Sequence, residues 1–271
     1  MTKAIIETYG CTLNRADSDI MASLLASQGI DVNQGRYAPG GDDDYVIINT
    51  CTVKTPTERR IIDRIRKISS EGKSLIVTGC MASANPDKIK KVAPNARIVT
   101  TSNVHRITEA IHGGSVEAYS RIDKLEYHKP SGTVISRIPI SEGCLSSCGF
   151  CETKFARGPL NSFSEKLILR AIEMNVQNGA REIELTSQDV GAYGLDRGTN
   201  IAQLLLGVKD IEGDFRIRVG MLNPEHLEKY IDPLIDAYGD GRIYRFIHLP
   251  LQSASNSVLK SMDRRYTIER F

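Results

Sequence analysis

The stretch GCLSSCGFCETKFARGPLNS, residues 143–162, gathers three of the chain's six cysteines. Cys144, Cys148 and Cys151 are separated by three and then two residues. A CxxxCxxC loop can wrap three thiolates around one small cubic cluster, and Gly143 and Gly149 let its backbone approach closely. Iron–sulfur cubes are ordinarily held by four thiolates. Three leave one iron with an open position, as catalytic metal sites require, and a substrate or cofactor can bind there. Zinc held by three cysteines and a histidine is the chief metal alternative, but the loop contains no His and the nearest is His128. Beyond the cysteines, Ser162 and Glu165 have the S-x-x-E spacing of a capping box for a following helix.

The other three cysteines, Cys11, Cys51 and Cys80, are scattered through the first half of the chain. Runs rich in Ile and Val, AIIETYG (4–10), DYVIINT (44–50), SLIVTG (74–79) and ARIVT (96–100), have the character of buried strands. Helical patterns over 16–27, 57–69, 86–92 and 104–111 lie between or after them. Strand–helix alternation implies a parallel sheet covered by helices on both faces, so residues 1–112 are expected to form an open, doubly wound α/β domain. No GxGxxG follows the first strand, which leaves a dinucleotide site without support. Each scattered cysteine follows a strand. The carboxyl ends of parallel strands share one edge, where ligands bind, so the three thiols are expected to converge in space. The plain alternative is three buried structural cysteines, each a small hydrophobe.

Residues 113–133 break this rhythm and read as a linker. Residues 134–271 resume it, with VISRIPI, EIELTS, FRIRVG and RFIHLPL as strands and helices over 163–178, 200–210, 225–238 and 255–262. The fold class is therefore α/β throughout, the second domain being a full or partial (β/α) barrel. Within EIELTS, Ile183 and Leu185 share one face and Glu184 and Thr186 the other; in FRIRVG, Ile217 and Val219 oppose Arg216 and Arg218. Glu184 and Arg218 are then expected in the barrel interior, either paired with each other or facing a ligand. Gln188 and Asp189 follow EIELT, where barrel active-site loops begin.

With 271 residues, 41% hydrophobic and 25% charged, the chain suits one large or two medium domains. A net charge of +2 gives no general argument for a nucleic-acid partner, so any such contact must come from local patches. Two are present: Lys154, Arg157, Lys166 and Arg170 after the cysteine loop, and Lys54, Arg59, Arg60, Arg64, Arg66 and Lys67 beside Cys51. The second patch shares a helix with an apolar face of Ile61, Ile62, Ile65 and Ile68; its cations either meet phosphates or form a solvated face. No run approaches a membrane span, and MTKAIIETYG lacks the pattern of a signal peptide. A reducing cytoplasm is expected, where thiols serve metals or catalysis more often than disulfides.

CLSSCGFC ahead of barrel-like repeats resembles the radical S-adenosylmethionine (SAM) superfamily motif. Three further cysteines in an N-terminal α/β domain make the chain similar to the methylthiotransferases. ETYGCTLNRADSD (7–19), INTC (48–51), TGC (78–80), LTSQDVGAYG (185–194) and HLPLQSASNSVLKSMDRRYT (248–267) carry that resemblance along nearly the whole chain. It implies two [4Fe–4S] clusters, one held by Cys144, Cys148 and Cys151 for SAM, and an auxiliary one held by Cys11, Cys51 and Cys80. Reductive cleavage of SAM would give methionine and a 5′-deoxyadenosyl radical that abstracts hydrogen from carbon. The auxiliary cluster would carry sulfur that is methylated by a second SAM and inserted. Phe150 would pack on the SAM adenine, Gln188 and Asp189 would contact SAM, and Arg218 would face its carboxylate. Asn14 and Asn49, beside Cys11 and Cys51, are expected to bond cluster sulfurs or cap turns. An electron donor such as flavodoxin or ferredoxin is implied.

CETKFARGPLNS resembles the archaeal and eukaryotic branch, which acts on N6-threonylcarbamoyladenosine in the tRNA anticodon stem-loop, at position 37. The implied reaction replaces hydrogen on carbon 2 of that adenine with a methylthio group. Other tRNA adenosines, a ribosomal protein, or a non-catalytic iron–sulfur role in RNA binding are the competing readings. The chain stops at YTIERF, where family members continue through further barrel and a small RNA-binding β-domain. The expectation is a fragment with low or no activity by itself.

Overall fold

The Ile- and Val-rich runs of the first half become strands of one five-stranded sheet, because both of its faces are covered. In the computed structural model, which describes residues 1–53, 55–130 and 132–271, two compact units are distinguished. The first is Met1–Ile122 with Phe155–Arg157; the second is Asp123–Lys154 with Gly158–Phe271. Lys54 of the basic patch and Ser131 of the expected linker lie outside the described residues.

The first unit runs β1 (Lys3–Thr8), α1 (Thr12–Ser27), β2 (Asp31–Gln34), β3 (Tyr45–Thr50), α2 (Thr55–Ser70), β4 (Ser74–Gly79), α3 (Cys80–Ala84), α4 (Pro86–Val92), β5 (Arg97–Val99) and α5 (Ile107–Ile111). The strands pair in parallel in the order β2-β1-β3-β4-β5. Alternate residues of each strand face opposite ways. Ile5, Val46, Ile48, Val77 and Ile98 pack with Ile61, Ile65 and Ile68 of α2 on one side. On the other, Ala4, Ile6, Ile47, Ile76 and Val99 pack with Met21 and Leu25 of α1 and Ile107 of α5. The strand order reverses between β1 and β3, and at such a switch point the helices leave on opposite faces and open a crevice at the carboxyl edge.

The second unit carries β6 (Ile135–Pro139), β7 (Ser141–Glu142), β8 (Asn161–Ser162), α7 (Glu165–Gln177), β9 (Glu182–Thr186), α8 (Ile201–Gly207), β10 (Arg216–Val219), α9 (Pro224–Leu227), α10 (Ile231–Tyr238) and α11 (Asn256–Ser261). The short helix α6 (Glu152–Arg157) has its last three residues in the first unit. Strands β6, β9 and β10 form a parallel sheet in the order β10-β9-β6. Ile138, Ile183, Leu185, Ile217 and Val219 fill the core with Ile168 and Ile172 of α7 and Leu204 and Leu205 of α8.

Three local expectations are corrected. RFIHLPL is not a strand: its neighbour β10 ends at Val219, and beyond an isolated Ile217–Ile243 bridge there is no ladder to extend. The 225–238 helix is broken into α9 and α10, because Pro233 has no N–H to give a helix interior and must fall in a first turn. The capping box does not form: Ser162 lies in β8, its hydroxyl accepts the Gly194 N–H at 2.8 Å, and Ser164 is the N-cap of α7.

Candidate metal centres

In the first unit the three scattered cysteines sit where the winding predicts. Cys11 follows β1 as the N-cap of α1, Cys51 follows β3 and Cys80 opens α3 straight after β4. Cys11 and Cys51 therefore flank the strand-order reversal. Gly79 permits the sharp exit from β4: it has φ +88°, and a Cβ there would stand 2.3 Å from the Thr50 carbonyl oxygen. Asn14, one turn into α1, ties the edge together. Its amide nitrogen donates to the carbonyls of Tyr9 (3.0 Å) and Thr50 (2.7 Å), while its Oδ1 accepts from the thiols of Cys11 (3.7 Å) and Cys80 (3.9 Å). Asn49 is buried and donates to the Asn14 carbonyl (2.7 Å) and to Ser18 Oγ (2.9 Å), so it braces α1 against β3. Cys51 and Cys80 are buried, whereas Cys11 is exposed, which opens the site on its side.

Arg157 completes this site. Its fully buried guanidinium donates from Nη2 to Asn14 Oδ1 and to Asp17 Oδ2, both at 2.9 Å. Burial pushes the Cys80 thiol up; Arg157, bonded to it, opposes that shift, and the nearby Cys11 and Cys51 add to it. The expected phosphate-binding role is thereby overturned for Arg157, which has no route to solvent. Lys154 is corrected in the same way, because its ammonium is turned onto the carbonyls of Cys144 and Ser146 (the latter at 3.1 Å). Arg64 of the second patch is buried too, its guanidinium held by Glu7 and the Tyr37 carbonyl.

In the second unit, β7 and β8 clamp the base of the CxxxCxxC loop through Ser141–Ser162 and Glu142–Asn161 pairing. Gly143 has φ +74°, and a Cβ there would stand 2.0 Å from the Pro159 carbonyl oxygen, so only glycine fits. Ser146, between the first two cysteines, accepts from Asn223 Nδ2 at 2.9 Å and lies 3.1 Å from Glu225 Oε2 and 3.2 Å from His226 Nε2. Ser147 donates to Asp263 at 2.6 Å, and the Gly149 N–H donates to the Met262 carbonyl at 3.2 Å. Burial raises the Cys144 thiol to about 11, with the Asp189 charge adding and Lys154 opposing. Burial likewise raises Cys148, helped by Cys151 and opposed by Arg264. Thiols so placed are protonated until a metal displaces their protons.

The remaining candidates are placed as follows. Asp189 is buried; its Oδ1 accepts the N–H groups of Gly191 (3.0 Å) and Asn223 (2.9 Å), and its Oδ2 lies 3.4 Å from His226 Nε2. It therefore orders the segment that reaches Ser146. Gln188 Oε1 and Ser187 Oγ, at the end of β9, are buried atoms with no hydrogen-bond partner among the described residues. Phe150 is half exposed, with the Arg264 guanidinium 5.8 Å from its ring centre. Arg218 pairs with Glu184 at 3.2 Å, and Arg137 takes the other carboxylate oxygen at 3.4 Å, so the mutual pairing of Glu184 and Arg218 is realised. Sequence reasoning missed Asp17, His226 and Asn223. Asp17 had a legible signal: with Asn14 it makes a polar pair three residues apart on a helix face that otherwise buries Leu13, Ala16 and Ile20.

Both sites fit an iron–sulfur group by their donors. Each offers three thiols, soft ligands suited to such clusters, and the first supplies a buried cation beside them. Among the described residues no three His, Cys, Asp or Glu side chains are arranged around a single ion. A cube presents a separate iron to each thiolate, so its ligands stand further apart than those of one ion.

Comparison with known proteins gives two matches, one in each half of the chain. Residues 138–271 match the radical SAM superfamily, and residues 3–101 match UPF0004, described as an uncharacterized protein family. The radical SAM match, over the second half of the chain, implies SAM and a [4Fe–4S] cluster there. The relatives it resembles along its whole length are named more narrowly. A probable threonylcarbamoyladenosine tRNA methylthiotransferase of Pyrococcus abyssi is 43% identical over 100% of this chain and 65% of the relative. The threonylcarbamoyladenosine tRNA methylthiotransferase of Homo sapiens is 33% identical over 99% of this chain and 48% of the relative. The chain thus spans 65% of the length of the Pyrococcus relative. Among solved structures, a radical SAM methyltransferase, TsrM, from Kitasatospora setae aligns with TM-score 0.67 at 13% identity, covering 100% of this chain and 64% of that one. At that identity the likeness shows the fold alone.

Proposed function

We propose that this chain carries the two catalytic cysteine sites of a tRNA methylthiotransferase that acts on carbon 2 of N6-threonylcarbamoyladenosine at position 37 of the anticodon stem-loop. The observation that carries this reading is the presence of two separate three-thiol sites, the first at the carboxyl ends of three parallel strands and the second on one loop closed by the antiparallel pair β7–β8. Full-chain likeness to proteins named for that reaction supports the choice of substrate. Cys144, Cys148 and Cys151 would hold the SAM-site cluster; Cys11, Cys51 and Cys80 would hold a second [4Fe–4S] cluster. When bound, the first would supply the electron for reductive cleavage of SAM and the second would hold the sulfur to be inserted.

The chain's own residues do the rest. Ser146, Asn223, His226 and Asp189 fix the cysteine loop from behind, and Gly143 lets its ends close. The unpartnered Gln188 Oε1 and Ser187 Oγ supply polar atoms for the SAM moiety, and Phe150 offers an exposed ring for its adenine. Arg218 is not assigned to the SAM carboxylate, since Glu184 already engages it. The electron would come from a flavodoxin- or ferredoxin-type donor. No helix of the described residues is long and apolar enough to cross a membrane.

Nucleoside mass spectrometry tests the assignment. Bulk tRNA is taken from a host that makes threonylcarbamoyladenosine but does not methylthiolate it, with and without the gene that encodes this chain. A methylthio group gained on that nucleoside supports the reading. Unmodified tRNA from cells whose protein is folded and loaded with both clusters would sink it and direct the search to ribosomal protein.

A further inference from the structure

The cation inside the first unit is supplied from far along the chain. Phe155–Arg157 are the three residues from beyond Ile122 that belong to this unit, and Thr101 Oγ1 binds their backbone at the Ala156 carbonyl, 2.8 Å away. Burying a guanidinium is costly, and a buried ion pair is often no more stabilising than well-packed apolar groups of similar size. Pairing with Asp17 is therefore a weak reason for an arginine here. What an apolar side chain cannot do is act on thiolates, and Arg157 reaches the thiol site through both Asn14 and Cys80.

The shared oxygen of Asn14 sharpens the point. Cys11, Cys80 and Arg157 all donate to Oδ1. Metal ligation removes both thiol protons. Arg157 then remains as a donor to that oxygen, and its charge faces the thiolates that have just formed. Its planar fork of five N–H groups can serve Asn14, Asp17 and a sulfur together, which an ammonium cannot match.

Resting on the reading of this site as a second cluster site, we propose that Arg157 is its positioning residue. Held by Asn14 and Asp17, it orients Cys80, offsets the charge of the three thiolates and raises the reduction potential of the cluster they bind. Charge and hydrogen bonds to sulfur set such potentials.

The test uses the full chain with Cys144→Ala, Cys148→Ala and Cys151→Ala, so that only the first site can load. After anaerobic reconstitution with ferrous iron and sulfide, iron per chain, the electron paramagnetic resonance spectrum, bleaching by a chelator and the reduction potential are measured. Arg157→Gln is expected to bleach about 10-fold faster and to shift the potential to more negative values. Arg157→Lys keeps the charge without the fork, so it should hold the potential but still bleach faster. Should Arg157→Gln fail to fold by circular dichroism, Asp17→Asn decides: removing that anion should move the potential the opposite way. Bleaching and potential unchanged in every folded variant overturn the proposal and leave Arg157 as half of an ion pair. A parent that takes up no cluster with Arg157 intact overturns the second-cluster reading itself, a result distinct from a loss confined to the variants.

Discussion

Cys80 and Cys11 donate their thiol protons to one and the same atom, Oδ1 of Asn14, at 3.9 and 3.7 Å. Two residues from different βα turns are thus held to a single point. Asn14 is itself fixed by backbone carbonyls from both neighbouring turns, so the thiols meet at a rigid acceptor.

Replacing that acceptor should separate assembly from folding. Asn14→Ala leaves Asn49 Oδ1 without the Asn14 Nδ2 donor and the Arg157 guanidinium without one acceptor, a loss of about 1–3 kcal/mol. We expect a lower thermal midpoint for the first unit together with poor loading at Cys11, Cys51 and Cys80. Iron bound by Cys144, Cys148 and Cys151 should be unaffected. Equal loss of iron at both sites, measured in backgrounds lacking one set of cysteines, would count against the assignment.

Gly143→Ala should be among the most damaging single changes in the second unit. The new Cβ meets the Pro159 carbonyl at 2.0 Å with φ at +74°, so the clamp of β7 on β8 cannot close as it stands. The expected result is a folded first unit and loss of most iron from the CxxxCxxC loop. Gly149→Ala is the control, since a Cβ there meets nothing within 4 Å. Iron analysis of the two variants side by side gives the answer.

His128 makes stability depend on pH. Burial holds its imidazole well below the usual range, at about 4, and Asn175 Nδ2 lies 2.8 Å from its Nε2. Unfolded histidine titrates near 6.5, so between those values the unfolded chain binds a proton that the folded chain excludes. The neutral ring's contribution is therefore complete above about 6.5 and is lost as pH falls towards about 4, a span worth about 3 kcal/mol. His128→Gln should flatten that slope in urea titrations at pH 7 and pH 5. Parallel slopes for the two proteins would dismiss it.

The basic helix α2 should divide by burial. Arg64→Ala leaves Glu7 as a buried carboxylate without its guanidinium, at a cost of about 3–5 kcal/mol. Arg60→Ala, on the exposed face, should cost no more than about 0.5 kcal/mol. If α2 contacts tRNA, gel-shift affinity should fall on changing Arg59 or Arg60, and an Arg64 effect should follow the loss of fold.

Much of the first unit was legible because its strands are apolar on both faces, which gives continuous Ile and Val runs. The exception is instructive: β2, Asp31–Gln34, is a polar edge strand and has no such run. The convergence of Cys11, Cys51 and Cys80 followed from strand ends alone. Arg157 was not legible, because its partners Asn14 and Asp17 lie at the far end of the chain and a cation after a loop looks the same whether it meets phosphate or carboxylate. RFIHLPL failed for another reason: alternation describes a strand's faces, but only a neighbour of sufficient length makes it one.

The sandwich of the first unit has a bearing on how the protein would be maintained. Helices on both sides of β1, β3 and β4 bury their apolar faces against the sheet, and of the three thiols only Cys51 takes part in that packing. The scaffold is thus complete without iron, unlike small domains that fold around their metal. If these thiols hold the proposed cluster, a centre damaged by oxygen could be stripped and refilled on the same polypeptide, with Cys11 as the exposed point of attack and of repair.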